Sequence, residues 1–111
     1  MAHQKHYAYV WEFEVAAESL AEFIRYYGPQ GEWARLFQRA EGYLGTWLLQ
    51  DEANPLRFVT IDRWQSKQLH EAFLDEFLLE YNALDEACES FTIRETSLGH
   101  FIQSAGDEPP P

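Results

Sequence analysis

The sequence predicts an α+β subunit with the order β-α-β-β-α-β, in which one antiparallel sheet carries its helices on a single face. Three observations lead there. Runs rich in aromatic and β-branched residues alternate with segments whose apolar residues recur at three and four. A length of 111 residues suffices for one hydrophobic core and no more. Both sides of the predicted sheet carry apolar residues, so the helices can cover only one of them.

"YAYVWEFEV" (residues 7–15) reads as the first strand. A helix follows with Leu20, Phe23, Ile24 and Tyr27 on one side, and "GPQG" (28–31) stops it. "EWARLFQRA" (32–40) is a short second helical stretch burying Trp33, Leu36 and Phe37. After Glu41-Gly42, "YLGTWLLQ" (43–50) is the second strand, and the turn cluster "DEANP" (51–55) joins it to the third, "RFVTIDRW" (57–64). Those two strands should form an antiparallel hairpin with a loop of about five or six residues. Ser66 is placed to cap the next helix, which the spacing of Leu69, Phe73, Phe77, Leu78 and Tyr81 makes the longest in the chain. "FTIRETSLGHF" (91–101) closes the sheet. The expected layout is a flexible N-terminus over 1–6, one domain over 7–102, and a mobile acidic, proline-rich tail over 103–111.

Composition narrows the function. Net charge is −11, with only eight Lys and Arg scattered along the chain, so no basic stripe exists for nucleic acid or an anionic membrane surface. No apolar run is long enough to span a bilayer, and the N-terminus has no secretion-signal pattern. Cys88 is the only cysteine, which rules out an internal disulfide and fits a reducing cytoplasm. His3 and His6 sit at the terminus, His70 and His100 stand apart in sequence, and no cluster has metal-ligand spacing; no metal or cofactor is expected.

Strand alternation puts Tyr7, Tyr9, Trp11 and Phe13 on one side of the first strand with Ala8 and Val10 on the other, and divides the third strand into Phe58, Thr60 and Trp64 against Val59 and Ile61. Leaving one of those faces in water would expose a larger apolar patch than soluble monomers carry. A second copy of the same sheet is the simplest cover, which predicts a two-fold homodimer. Glu12 and Glu14, opposite Trp11, and Arg63, opposite Trp64, would then meet inside or at the rim, with Glu12 to Arg63 or Arg94 as the expected ion pair.

In this order, "VWEFEV", "GEWARLFQRAEGYLGTWLL", "FVTIDRWQSKQLHEAF" and "RETSLGHF" resemble the antibiotic biosynthesis monooxygenase-like domains of the dimeric α+β barrel group. The likeness runs from Tyr7 to Phe101. It implies a ferredoxin-like subunit paired into a dimeric barrel. It also implies oxygenation of a small aromatic or quinol-like substrate without metal, flavin or haem, in a pocket between helices and sheet. Trp64 corresponds to the family's pocket tryptophan, Thr60 to the polar residue four positions before it, and His70 to the donor about six after it. Haem-degrading relatives carry a helix histidine where this chain reads "DEFLLEY", and an asparagine where it has Trp11.

The expected catalytic residues are therefore His70, Trp64 and Thr60, with Trp11, Phe13, Asp62 and Phe73 against the substrate. A cofactor-free oxygenase needs a base or donor to hold an electron-rich phenolate and aromatic walls to exclude water. An imidazole, titrating near neutrality, suits the first role. Each residue also has a plain structural role: Trp64 as core packing, His70 facing solvent near a helix start, Asp62 paired with an arginine. Fold membership does not choose among chemistries, so a non-catalytic barrel that binds a small apolar ligand or acts as an accessory protein stands as the alternative. No nucleophile elbow accompanies Ser66 and His70, which discounts hydrolysis.

Overall fold

The computed structural model describes residues 6–103; the expectations for the extreme ends, 1–5 and 104–111, lie outside it. Strand β1 (Tyr7–Val15) leads through a 3-10 turn to α1 (Leu20–Tyr27) and α2 (Glu32–Gln38). Strands β2 (Tyr43–Gln50) and β3 (Arg57–Trp64) follow, then α3 (Lys67–Glu76), α4 (Leu78–Cys88) and the long β4 (Thr92–Ile102). The four strands are antiparallel in the order β2-β3-β1-β4, the ferredoxin-like arrangement that the element order predicts.

Register decides which side chains share a face. Trp11 lies opposite Thr60 and Tyr9 opposite Asp62 in the β1/β3 pair, and Thr46 lies opposite Asp62 in the β2/β3 pair. These face the helices, because the side chains of directly opposed residues lie on one side of a sheet. The β2/β3 hairpin is tied at its loop by Asp51, which accepts from the Ala53 amide at 2.8 Å, and by Asn54, which accepts from the Leu56 amide at 3.0 Å. These short Asx contacts fix the loop and with it the register.

Two glycines are required by geometry. Gly42 has φ of +95°, and a Cβ there would meet Leu69 Cδ1 at 2.6 Å, so the turn into β2 can lie against α3 only without a side chain. A Cβ on Gly31 would collide with the backbone oxygens of Arg25 and Tyr26, where α2 turns back on α1. Ser66 caps α3 as expected, its hydroxyl accepting from the Leu69 amide at 3.2 Å, a contact of the kind that contributes about 1 kcal/mol.

The core between helices and sheet is aromatic. Phe13, Phe23, Tyr27, Phe37, Phe58, Trp64, Phe73, Phe77 and Phe91 are all buried. Phe37, Trp64 and Phe73 form a mutually contacting triad with ring centroids 5.2–5.8 Å apart.

Two expectations are corrected. The single long helix is two, broken at Phe77, whose backbone (φ −112°, ψ 27°) leaves the helical region. The break turns Phe77 inward, stacked on Phe73 at 5.6 Å and beneath the Arg39 guanidinium, and keeps Tyr81 partly buried against the core. It leaves Leu78, read as a core position, exposed. The second correction concerns charge. Glu12 pairs with Arg57, and Arg94 pairs with Glu14 at 3.2 Å. Register explains it: Arg57 is the diagonal neighbour of Glu12, Arg94 stands opposite Glu14, and Arg63 lies four residues along, opposite Ala8. Arg63 instead covers the Trp47 ring, 5.3 Å from its centroid.

The outer sheet face carries Trp47, Leu49 and Phe101, each about half exposed. No helix among the described residues is long and apolar enough to cross a membrane.

Candidate functional site

A cavity of about 210 Å³ lies between the sheet and the helices. About 150 Å³ already admits a benzene ring, so this space fits a small aromatic molecule. Tyr9, Trp11 and Phe13 of β1, with Thr60 and Asp62 of β3 and Thr46 of β2, make its sheet wall. Tyr27, Trp33, Phe37, His70 and Tyr81 close the helical side. Asp85 of α4 and Glu95 of β4, both exposed, mark its mouth. The helices do not fill this space because the residues beneath them on β2 and β3, Thr46, Thr60 and Asp62, are short.

Asp62 is the chemical centre of the wall. Its Oδ1 accepts the Thr46 hydroxyl at 2.7 Å, and Thr46 Oγ1 lies 2.5 Å from the Tyr43 hydroxyl. Since the single Thr46 proton points to the carboxylate, Tyr43 must donate to Thr46, giving the chain Tyr43 to Thr46 to Asp62. No lysine or arginine lines the cavity among the described residues. Burial without a cation favours the neutral acid and pushes Asp62 up to about 6, against the opposing pull of the Thr46 hydrogen bond. The expected arginine partner is absent: Arg57 and Arg63 occupy the other parity of β3 and so the other face of the sheet.

His70 is buried, 6% exposed, at the cavity edge. The Ser66 cap sets the start of α3, and the fourth helical position turns inward, contrary to the solvent-facing alternative. The ring packs among Tyr7, Tyr9 and Trp64 at centroid distances of 5.2–5.6 Å. Burial, reinforced by His100 nearby, lowers His70 to about 4. The imidazole is therefore neutral throughout the physiological range. His100, distant in sequence, stacks on Tyr9 at 4.1 Å and contacts the Tyr7 hydroxyl, so the two histidines share one aromatic neighbourhood.

Of the residues singled out in the sequence, Thr60, Asp62, His70, Trp11 and Phe13 line the cavity. Trp64 and Phe73 do not: they are fully buried behind it, with Trp64 holding one side of the His70 ring. Sequence reasoning missed Thr46, Tyr43, Asp85 and Glu95. The hairpin register supplies Thr46 only when Gln50 is paired with Phe58, which sets it opposite Asp62; centring the loop on 51–56 would set it opposite Ile61. No comparable signal relates α4 to β4. Among the described residues no three His, Cys, Asp or Glu side chains assemble into a metal-binding group.

Comparison with known proteins follows the same outline. SnoaB, a cofactor-independent oxygenase from Streptomyces nogalater, superposes with a TM-score of 0.59 at 22% identity, covering 96% of this chain and 99% of its own. A protein of unknown function from Nitrosomonas europaea gives 0.67 at 14% identity, covering 99% and 100%. A protein from Shewanella oneidensis gives 0.66 at 12% identity, covering 90% and 92%. At these identities the likeness is one of fold. No curated protein sequence matches the chain at a significant level. The family model for antibiotic biosynthesis monooxygenases matches residues 7–77, which carry Thr46, Thr60, Asp62 and His70. By that match, which spans more than half its length, the chain belongs to the antibiotic biosynthesis monooxygenase family.

Proposed function

We propose that the cavity oxygenates a small, planar, electron-rich aromatic without a cofactor, and that Asp62 is the base that starts the reaction. The observation carrying this reading is a carboxyl group raised to about 6 by burial on the wall of an aromatic-lined cavity. Magnitudes select it over His70. A phenolic hydroxyl titrates near 10, so transfer to Asp62 is uphill by about four units, or about 5 kcal/mol. Transfer to an imidazole at about 4 costs about 8 kcal/mol, as it would to an unperturbed aspartate. The burial of Asp62 therefore lowers the cost of the transfer by about 3 kcal/mol, of which the barrier gains a fraction.

His70 then has a different part from the one its residue type suggests. A neutral imidazole at the cavity edge offers one N–H and one lone pair to position the hydroxyl, with Thr60 beside Asp62 as a second polar contact. Trp11 and Phe13 form the flat wall. Trp64 supports the His70 ring from behind, and Phe73 supports Trp64; neither meets the substrate.

The substrate itself supplies all four electrons that O2 takes up. Loss of a proton to Asp62 leaves a delocalised anion that transfers an electron to dioxygen. Recombination forms a C–O bond, giving a hydroperoxide. Loss of water then yields a carbonyl: a methylene plus O2 becomes a ketone plus H2O, with Asp62 returning its proton to the departing oxygen. The sheet's open face, with Trp47, Leu49 and Phe101, supports pairing of two copies into a barrel; a single-chain sedimentation mass at micromolar concentration would contradict that part.

The test is oxygen uptake with a panel of anthrones and hydroquinones. The wild type is expected to consume one O2 per anthrone without releasing peroxide. His70→Ala is expected to lose about tenfold in kcat/KM, mostly through KM, because positioning and not proton transfer is removed. Uptake equal in both proteins would remove His70 from the site, and tight binding without uptake would favour the non-catalytic barrel.

A further inference from the structure

We infer that the preferred ligand of this cavity is a cation: an aromatic molecule carrying a protonated amine, its ring between the aromatic walls and its ammonium at the mouth between Asp85 and Glu95. This specifies the substrate class of the site proposed above and rests on that reading.

Three features of the cavity point the same way. Its charged lining is of one sign only, with Asp62 at depth, Asp85 and Glu95 at the mouth, and no lysine or arginine. Its remaining wall is mainly aromatic, and ring faces attract a cation through their quadrupole. His70, more than nine-tenths buried on the same cavity, has no hydrogen bond to its ring nitrogens among the described residues, and its neutral ring offers a ligand N–H or O–H an acceptor.

Asp85 and Glu95 share the mouth of the cavity. Burial first, and after it the like charge of Asp85, raise Glu95 above its ordinary value. Among the described residues Glu95 finds the Thr92 hydroxyl, at 3.4 Å, and no lysine or arginine pairs with Glu95 or Asp85, whereas Glu12, Glu14 and Asp51 each hold an arginine. An ammonium placed between Asp85 and Glu95 would relieve that repulsion. It would also offset the negative charge that appears on the substrate hydroxyl when Asp62 takes its proton. A carboxylate or phosphate in the same place would add to the repulsion, and the chain's net charge of −11 would disfavour its approach.

Anaerobic titration separates binding from turnover. Three catechols of nearly equal size, bearing an aminoethyl, a hydroxyethyl or a carboxyethyl arm, are followed by quenching of tryptophan fluorescence, with Trp11 and Trp33 on the cavity wall as reporters. The aminoethyl catechol is expected to bind at least about tenfold more tightly than the hydroxyethyl one, and the carboxyethyl catechol most weakly. In an Asp85→Asn, Glu95→Gln double variant the first gap should shrink below about threefold while affinity for the hydroxyethyl probe holds, which also reports that the cavity is intact. Raising salt should narrow the gap in the wild type alone. A hydroxyethyl probe bound as tightly as the aminoethyl one overturns the inference, as does a gap that persists in the double variant. If none of the three binds, the aromatic-cavity reading fails and this inference with it.

Discussion

Asp62→Asn is expected to lower oxygen uptake on any substrate of this protein by about 10²–10⁴-fold, the usual worth of a positioned general base. The amide keeps the shape and can still accept from Thr46, so the loss should fall on kcat with little change in KM. The same substitution should make the protein more stable at pH 7. Asp62 is raised from 3.8 to about 6, so the folded state holds a proton that the unfolded chain releases. Its contribution is fully present below about pH 4 and is lost as pH rises through 6, a loss of about 3 kcal/mol at most. His70 runs the opposite way. Its folded value of about 4 lies below the unfolded 6.5, so stability is present above pH 6.5 and falls as pH drops through 4. In the wild type these two slopes offset each other between pH 4 and 6. Removing the carboxylate should unmask the His70 slope: the unfolding free energy of the variant, from denaturant titration, should exceed wild type at pH 7 by about 1–3 kcal/mol and decline steadily from pH 6.5 towards 4. A gain in stability with a loss of rate is what a buried charge kept for chemistry predicts.

Trp64→Ala is expected to cost about 3–5 kcal/mol, a large share of the 5–15 kcal/mol by which domains of this size are stable. Trp64 has no exposed surface and touches Phe37, Tyr43, His70 and Phe73, so its removal opens a cavity among rings that belong to three different elements. Thermal melting should drop by roughly 15 °C or more. Trp64→Phe, which keeps a smaller ring in place and gives up an Nε1–H that has no hydrogen-bond partner among the described residues, should recover most of that loss. Recovery by phenylalanine of both melting temperature and oxygen uptake would establish Trp64 as a support and not a participant.

The sequence already carried the strands, because alternation over "YAYVWEFEV" and "RFVTIDRW" is a period that only an extended chain presents. It also placed five of the seven candidate side chains at the cavity, since residues 60 and 62 share a side of β3 and register brings 11 and 13 to it. Alternation and spacing do not separate Trp64 and Phe73 from true pocket residues, because a large ring on the correct face looks the same in sequence whether it lines a space or stands behind it. The helix break at Phe77 carries no glycine or proline; it follows from where Phe77 and Tyr81 must pack, which is a tertiary demand. Asp62 was legible in part: the alternation that placed it with Trp64 also sent Arg57 and Arg63 to the opposite face, and that removed the arginine partner. Its elevated carboxyl depends on the absence of any cation among the described lining residues of seven surrounding elements, which no single stretch of chain encodes. The mouth carboxylates depend on how α4 crosses β4, and local pattern says nothing of that.

The most direct measurement of the central claim is the titration of the Asp62 side chain itself, followed by the carbon NMR signal of its carboxyl group across pH 3–8 and assigned by its loss in Asp62→Asn. A midpoint near 6 is the result expected of a carboxyl buried on a cavity wall without a cation. A midpoint near 4, the ordinary value for aspartate, would mean that the group is solvated or paired, and that Asp62 is not the base.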